Sequence, residues 1–215
     1  MKTVPFTEDL AQLLPADLPN REKCVTVSAR HLELIVEANK QFNLTRIVSP
    51  REAAIKHVVD SVVPWRQFQG SARIADAGTG PGYPGIPLAV VLPEAHFFLL
   101  ESTQKKARFV AEAVAALGLT NVTVLPDRAE AWLEENAVDL VTARAFAPME
   151  RAIPLLMPAF RHKTRVLLYK GPDVEAEIAA AVYEIKRRKV RVTVVERYSL
   201  PDELGARTLV EVMAI

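Results

Sequence analysis

The most constraining feature of this sequence is a glycine-rich turn between a short apolar segment and a helix-forming segment. Residues 74–85 read Ile-Ala-Asp-Ala-Gly-Thr-Gly-Pro-Gly-Tyr-Pro-Gly, so that Asp76 precedes a series of glycines that begins with Gly78 and Gly80. A glycine backbone lets a ligand approach without a Cβ in the way. Ligands of open α/β sheets bind at the carboxyl ends of the strands. The turn therefore predicts a ligand site at the end of a first strand.

The segments after the turn alternate between short apolar runs and helical stretches, which is typical of βαβ units and a mainly parallel sheet. Five strands are predicted, at residues 72–77, 96–101, 121–125, 138–143 and 165–169. Two further strands, at residues 190–198 and 208–215, have only a short loop between them, which favours an antiparallel C-terminal pair. The predicted fold class is α/β, with a Rossmann-like, doubly wound, mainly parallel sheet.

The first third of the chain has a helical pattern instead. Apolar residues recur at helical spacing over residues 21–42. A second helix is predicted to begin at Ser49, as its N-cap, and to end before Pro64. We therefore expect an N-terminal helical extension over residues 1–66 and one compact Rossmann-like unit over residues 67–215.

Composition bears on location and on partners. Hydrophobic residues make up 50% of the chain, which is enough for a substantial core. The single cysteine, Cys24, excludes an internal disulfide framework and fits a reducing cytoplasm. No apolar run reaches the roughly 20 residues needed to cross a bilayer, and the scattered histidines form no metal-ligand pair with Cys24. We expect a soluble, cytoplasmic monomer with no metal site and no membrane partner.

Two kinds of ligand fit the glycine turn. Residues 80–85 match the G-x-G-x-x-G pattern of dinucleotide-binding proteins, which favours NAD and an oxidoreductase. Pro81 and Pro84, however, lack the amide donors that a diphosphate would use, and Asp76 opposes its charge. A methyl donor carries a positive sulfonium and no phosphate, and a carboxylate suits its ammonium group. The residues favour the methyl donor and leave NAD as the alternative.

Glu101 ends the predicted second strand. An acidic residue there can accept hydrogen bonds from a ribose diol, with the offset from the turn that a nucleoside site requires. The other reading of Glu101 is a solvated carboxylate at a strand end. Together with the glycine turn, the nucleoside-binding interpretation is the favoured one.

Several segments together resemble the glucose-inhibited division protein B family, the bacterial 16S ribosomal RNA guanine-N7 methyltransferases also called RsmG. Residues 76–88 resemble the family signature as a whole. The shorter elements that resemble the family are Phe42-Asn43-Leu44-Thr45, Lys56-His57-Val58-Val59-Asp60-Ser61, Leu99-Leu100-Glu101-Ser102, Lys105-Lys106-Ala107-Arg108-Phe109, Arg128-Ala129-Glu130, Ala143-Arg144-Ala145 and Lys170-Gly171. The resemblance spans residues 39–172, in order and without large gaps.

The resemblance implies a class I methyltransferase fold, S-adenosylmethionine as the cofactor, and 16S ribosomal RNA or the small ribosomal subunit as the partner. It implies that Gly78 and Tyr83 line the cofactor site, that Ala129 and Glu130 flank the adenine, and that Arg144 lies beside the cofactor or the substrate. Tyr83 stands where the family often has leucine or phenylalanine.

Guanine N7 carries a lone pair and no proton, so a methyl group can reach it without a general base. We therefore expect direct in-line transfer, catalysis by positioning, and no catalytic acid or base. Arg144, His57 and Asn43 are the candidates for positioning the substrate, with Thr45 and Asp60 in the neighbouring wall. A methyltransferase with another substrate and an NAD-binding oxidoreductase remain the alternatives.

Two basic clusters are candidates for contacts with RNA phosphates. The first contains Lys105, Lys106 and Arg108, and the second covers residues 186–191. Because the formal net charge is only +1, any RNA contact has to use such local patches.

Overall fold

A seven-stranded sheet forms the centre of the computed structural model, which describes residues 6–47 and 49–215. Its strands are β1 (Arg73–Ala77), β2 (His96–Leu100), β3 (Val122–Leu125), β4 (Leu140–Arg144), β5 (Arg165–Lys170), β6 (Val190–Ser199) and β7 (Ala206–Ala214). Their order is β3-β2-β1-β4-β5-β7-β6. The first five strands are parallel, whereas β7 is antiparallel to both β5 and β6. The predicted fold class is confirmed.

Helices cover both faces of the sheet. One face packs against α1 (Phe6–Leu13), α2 (Arg21–Asn39), α3 (Pro50–Ala53), α4 (Asp60–Val62), α5 (Gly85–Val91) and α6 (Gln104–Ala116). The other packs against α7 (Ala129–Glu135), α8 (Met149–Leu155), α9 (Met157–Arg161), α10 (Val174–Ala180) and α11 (Val182–Arg188). Successive strand residues point to opposite faces, so that Ile74 belongs to the first core and Ala75 to the second.

The N-terminal helices share their core with the sheet. Leu10 of α1 and Leu32 of α2 lie in the same buried cluster as Ile74 and Phe97 of the sheet. The division of the chain at residue 66 stays a prediction, and it falls inside a 3₁₀ turn, Trp65–Phe68, that also packs into this core. The first five residues of the expected extension lie outside the described residues.

The long helices lie where the sequence predicts them, but their ends and their internal geometry differ from the prediction. The helix predicted over residues 21–42 ends at Asn39, and the one predicted from Ser49 to Pro64 contains a π-helical turn, Ala54–Val59. Helix α6 ends as its sequence indicates. Gly118 follows it with φ +65°, and its N–H donates to the carbonyl of Ala115 at 3.1 Å.

The strand order of the sheet reverses at β1: β2 and β3 follow on one side of it, and β4 and β5 on the other. Strand β1 pairs with β2 on one side and with β4 on the other. The connections that leave the ends of β1 and β4 therefore diverge and open a crevice between them. The glycine turn follows β1 directly, which places it at this crevice.

Candidate functional site

A cavity of about 810 Å³ opens at the carboxyl ends of β1, β2, β4 and β5. Its lining includes the predicted site residues Gly78, Gly80, Tyr83, Glu101, His57 and Arg144, together with Thr45 and Asp60. A second cavity of about 310 Å³ contains the predicted adenine-flanking residues Ala129 and Glu130 and shares Gly78 with the first. The two cavities meet at Gly78 and at Phe146, so that one elongated ligand can occupy both.

The glycine turn has a backbone that other residues rarely adopt. Gly78 and Gly80 have φ values of +71° and +58°. A Cβ on Gly78 would lie 3.1 Å from Cδ2 of Phe146, at the point where the two cavities join. The backbone of Gly78 therefore lines both cavities, and a side chain there would be strained in its φ and tight against Phe146.

Asp76 lies behind the turn and does not line either cavity. Its side chain is fully buried, and its Oδ2 accepts hydrogen bonds from Thr79 Oγ1 at 2.7 Å and from the Gly85 N–H at 2.9 Å. The sequence interpretation placed this carboxylate against the ammonium group of the ligand. The structure places it instead as a brace that joins the two ends of the turn.

Burial raises the pKa of the Asp76 carboxyl to about 6, because the ionised form loses its water; the bonds from Thr79 and Gly85 oppose this rise. The folded state thus binds this proton more tightly than the unfolded chain does. Asp76 therefore stabilises the fold at low pH, and that stabilisation is lost as the pH rises through about 6.

We expect an Asp76→Asn variant, which keeps an acceptor oxygen, to remove this dependence. The free energy of unfolding of the ligand-free wild type, relative to the variant, should fall by about 2 kcal/mol between about pH 4.5 and about pH 7.5. Urea unfolding of both proteins at the two pH values measures this difference in the free energy of unfolding. A difference that stays constant or grows with pH contradicts this account of Asp76.

Glu101 faces the larger cavity while it also holds the turn. It is 7% exposed, its Oε2 accepts from the Gly80 N–H at 3.2 Å, and its Oε1 accepts from the Thr103 N–H at 2.8 Å. Each carboxylate oxygen has a second lone pair that remains available for a hydroxyl donor. The position of Glu101 thus agrees with a diol-binding role.

Arg144 is fixed at the end of β4 by the π-helical turn. Its Nη1 donates to the Lys56 carbonyl at 3.0 Å and to Asp60 Oδ2 at 3.3 Å. The wider π-helical turn leaves such carbonyls free to accept from a side chain. Within the described chain, Nε and Nη2 of Arg144 have no hydrogen-bond partner, and the side chain is 15% exposed. One edge of the guanidinium is therefore available to a ligand.

Asp60 is the group that orients this arginine. Its side chain is buried and also accepts from Arg207 Nε at 3.3 Å and from the Tyr198 hydroxyl at 3.0 Å. Arg207 and Tyr198 lie on the C-terminal strand pair, and their role was not predicted from the sequence. The carboxylate is thus compensated by two arginines, and its position depends on strands that are far from it along the chain.

His57 is a buried wall residue. Its ring stacks on Tyr83 at 4.7 Å between centroids, with 3° between the planes, and its Nε2 lies 3.3 Å from Thr45 Oγ1. Burial, with the nearby Arg144 charge, lowers the pKa of His57 to about 3. The ring is therefore neutral at physiological pH, which favours packing against an aromatic base over binding of a phosphate.

Asn43 has a different position from the one predicted. It is exposed and lines neither cavity. The nearby Asn39 holds this segment instead, since its Oδ1 accepts from the N–H groups of Leu44 and Thr45 at 2.9 and 3.1 Å. The segment contributes Leu44 and Thr45 to the wall of the cavity.

The cationic residues around the larger cavity are Lys56, Lys106, Arg144, Lys170 and Arg207. Of the first predicted basic cluster, only Lys106 lines this cavity, whereas Lys105 lies 4.4 Å above the ring of Phe42. In the second cluster, Arg187 and Arg188 pair with Glu184 within their own helix. The positive charge near the site thus comes mainly from separate strand ends, which no single run of the sequence displays.

Two further observations concern the described residues only. None of their helices combines the length and apolarity that a membrane span requires. They also contain no group of three or more histidine, cysteine, aspartate or glutamate side chains that could hold a metal ion.

Comparisons with known proteins agree with this geometry. A family described as rRNA small subunit methyltransferase G matches residues 27–204. A relative from Solibacter usitatus, named Ribosomal RNA small subunit methyltransferase G, is 62% identical over 96% of this chain and 99% of its own. A relative of the same name from Yersinia pseudotuberculosis is 42% identical over 90% of each chain.

Solved structures share the fold at low sequence identity. An O-methyltransferase from Bacillus cereus in complex with SAH superposes with a TM-score of 0.58 and 18% identity, over 86% of this chain and 90% of that one. The family match covers most of the chain, and the relatives match nearly all of it. The family predicted from the sequence is thereby confirmed: this chain belongs to the rRNA small subunit methyltransferase G family.

Proposed function

We propose that this protein transfers a methyl group from S-adenosylmethionine to N7 of a guanine in 16S ribosomal RNA. Membership in a family of ribosomal RNA methyltransferases supports the reaction class and the substrate class. The observation that carries the proposal is the pair of cavities that share Gly78, with both Glu101 and Arg144 in the lining of the larger one. The choice of N7 rests on the family resemblance.

The residues of the two cavities fit such a nucleoside donor. The smaller cavity, with Ala129 and Glu130, suits the adenine, and Glu101 suits the ribose diol. The side-chain-free backbone of Gly78 lets the ligand pass from one cavity to the other. When bound, S-adenosylmethionine supplies an electrophilic methyl group and a positive charge that is lost on transfer.

The chain's own residues then act by position and by charge. The neutral ring of His57, which stacks on Tyr83, forms an aromatic wall beside which a base can lie flat. The free edge of Arg144 can donate to an acceptor on the substrate. No group has to remove a proton, because N7 carries none. Orientation of this kind lowers barriers by up to roughly 7–11 kcal/mol.

The RNA backbone requires cations near the same opening. Lys106, Lys170 and Arg207 lie on three different elements around the larger cavity. Lys170 is held in place, since its Nζ donates to the Ala147 carbonyl at 2.8 Å and to Glu177 Oε2 at 2.7 Å. Lys170 and Arg207 are paired with Glu177 and Asp60, so Lys106, which forms no ion pair within the described residues, is the candidate of the three for a phosphate. Cytoplasmic location and a monomeric state stay predictions.

Calorimetry with two ligands separates this proposal from the dinucleotide alternative. S-adenosylhomocysteine is expected to bind with one site per chain and a Kd in the micromolar range, whereas NAD is expected to give no measurable heat. The turn favours this outcome because Pro81 and Pro84 cannot donate to a diphosphate. Binding of NAD but not of S-adenosylhomocysteine contradicts the proposal.

A further inference from the structure

One buried histidine outside the cavity lining connects the helical extension to the glycine turn. His31 lies on α2 and has no exposed surface. Its Nε2 lies 2.9 Å from the carbonyl oxygen of Pro81, at the tip of the turn. A carbonyl oxygen only accepts, so the hydrogen of the neutral ring has to be on Nε2.

The ring is neutral because its surroundings are apolar. Burial lowers the pKa of His31 to about 4, and the hydrogen bond to Pro81 only partly opposes this. Phe109 and Tyr83 pack on the ring at centroid distances of 6.4 and 4.8 Å. The Nδ1 atom is buried without a partner among the described residues. Leaving Nδ1 buried without a partner costs free energy, whereas Nε2 keeps its hydrogen bond to the Pro81 carbonyl.

The bonded carbonyl belongs to the glycine-flanked part of the turn. Pro81 lies between Gly80 and Gly82, which have φ values of +58° and +106°. Asp76 braces the ends of the turn and Glu101 holds the Gly80 N–H, but neither contacts the Pro81 peptide group. The N–H of this peptide group, that of Gly82, donates to the Thr79 carbonyl at 3.0 Å, and the bond from His31 holds the other end, the Pro81 oxygen.

The fit between ring and turn is also close. A Cβ built on Gly82 would lie 3.1 Å from Cε1 of His31 and 2.6 Å from Cδ1 of Ile86, so the turn and the ring leave little space for a side chain between them. On the other side, Tyr83 stacks on His57, which lines the cavity. The rings of His31, Tyr83 and His57 therefore form a stacked row that extends from α2 to the wall of the larger cavity.

We propose that His31 is a positioning residue for the methyl donor: its Nε2–H bond to the Pro81 carbonyl holds the turn in the shape that presents Gly80 and Glu101 to the ligand. This role rests on the proposed function. It assigns the helical extension a part in binding the donor, in addition to any contact with RNA.

The test compares variants that differ in the donor atom. Glutamine places its Nε2–H the same number of bonds from Cα as the histidine Nε2–H, whereas asparagine falls one bond short and leucine has no donor. We expect His31→Leu and His31→Asn to raise the calorimetric Kd for S-adenosylhomocysteine roughly tenfold, and His31→Gln to stay within about threefold of the wild type. In turnover, KM for the donor should rise while kcat changes little.

Cys24→Ala is the matched control for loss of packing, since Cys24 is equally buried on the same helix and its thiol bonds to Ser28 rather than to the turn. It should lower Tm and leave the Kd unchanged. The inference is overturned if His31→Gln binds as poorly as His31→Leu, if Cys24→Ala raises the Kd equally, or if all variants bind like the wild type. Failure of the wild type itself to bind S-adenosylhomocysteine contradicts the proposed function instead.

Discussion

Replacing Arg144 by methionine is expected to lower the rate of RNA methylation by at least about 100-fold while the protein stays folded. A single donor that is fixed in advance against the reacting group is typically worth about 10²–10³ in rate. Arg144 meets that description, because the Lys56 carbonyl and Asp60 hold one side of the guanidinium and leave the other side free. Asp60 keeps Arg207 and Tyr198 as partners in the variant, so its charge stays compensated.

The measurement is a single-turnover methylation rate, with calorimetry of S-adenosylhomocysteine on the same samples. We expect the Kd to change less than about threefold, since the loss concerns the substrate side. Arg165→Met is the matched control, because Arg165 also forms a partly buried ion pair, with Glu211 at 2.8 Å, but at the opposite end of the sheet. A rate for Arg144→Met above a tenth of the wild type would remove Arg144 from the site.

Adding one methyl group at Gly85 is expected to destabilise the protein by about 3 kcal/mol, the upper end of the usual range for overpacking a core. A Cβ there would lie 2.2 Å from Cδ2 of Leu99 and 2.8 Å from Oδ2 of Asp76, and both side chains are fully buried. The clash also displaces the carboxylate that braces the turn. Affinity for S-adenosylhomocysteine should therefore fall together with stability.

Gly171→Ala is the matched control for Gly85→Ala. Neither glycine has a positive φ, and a Cβ on Gly171 meets nothing within 4 Å. We expect the stability of this variant to stay within about 0.5 kcal/mol of the wild type or to rise slightly, as the unfolded chain loses freedom. Urea unfolding of the two variants compares them directly. Equal stability of both would contradict the close packing described around the turn.

The parts of the fold that were predicted from the sequence are those with local patterns. The apolar run around Phe97 is continuous because helices cover both faces of a parallel sheet, and the glycine turn marks where the first strand ends. Helices α7 to α11 were not predicted. Each has seven residues or fewer in the described structure, and α8 contains Pro154, so each is shorter than the roughly 11–18 residues over which a helical pattern can be recognised.

The candidate site was predicted only in part, for a related reason. Glu101 and Arg144 end strands next to the turn, and that position alone indicates a role. Arg207, by contrast, reaches Asp60 from 147 positions along the chain, because β7 folds back beside β5. The brace at Asp76 and the bond from His31 likewise depend on packing that no local pattern encodes.

The most direct test of the central claim is to locate the transferred methyl group. Small ribosomal subunits from bacteria that lack this methyltransferase are incubated with the purified protein and S-adenosylmethionine carrying a labelled methyl group. The RNA is then reduced with borohydride and cleaved with aniline, which breaks the chain at N7-methylguanine. We predict cleavage at one guanine of 16S ribosomal RNA, with the labelled methyl group released from the RNA in the excised base, and neither with Arg144→Met. Label on another atom or another RNA, or no label at all, would contradict the proposed reaction.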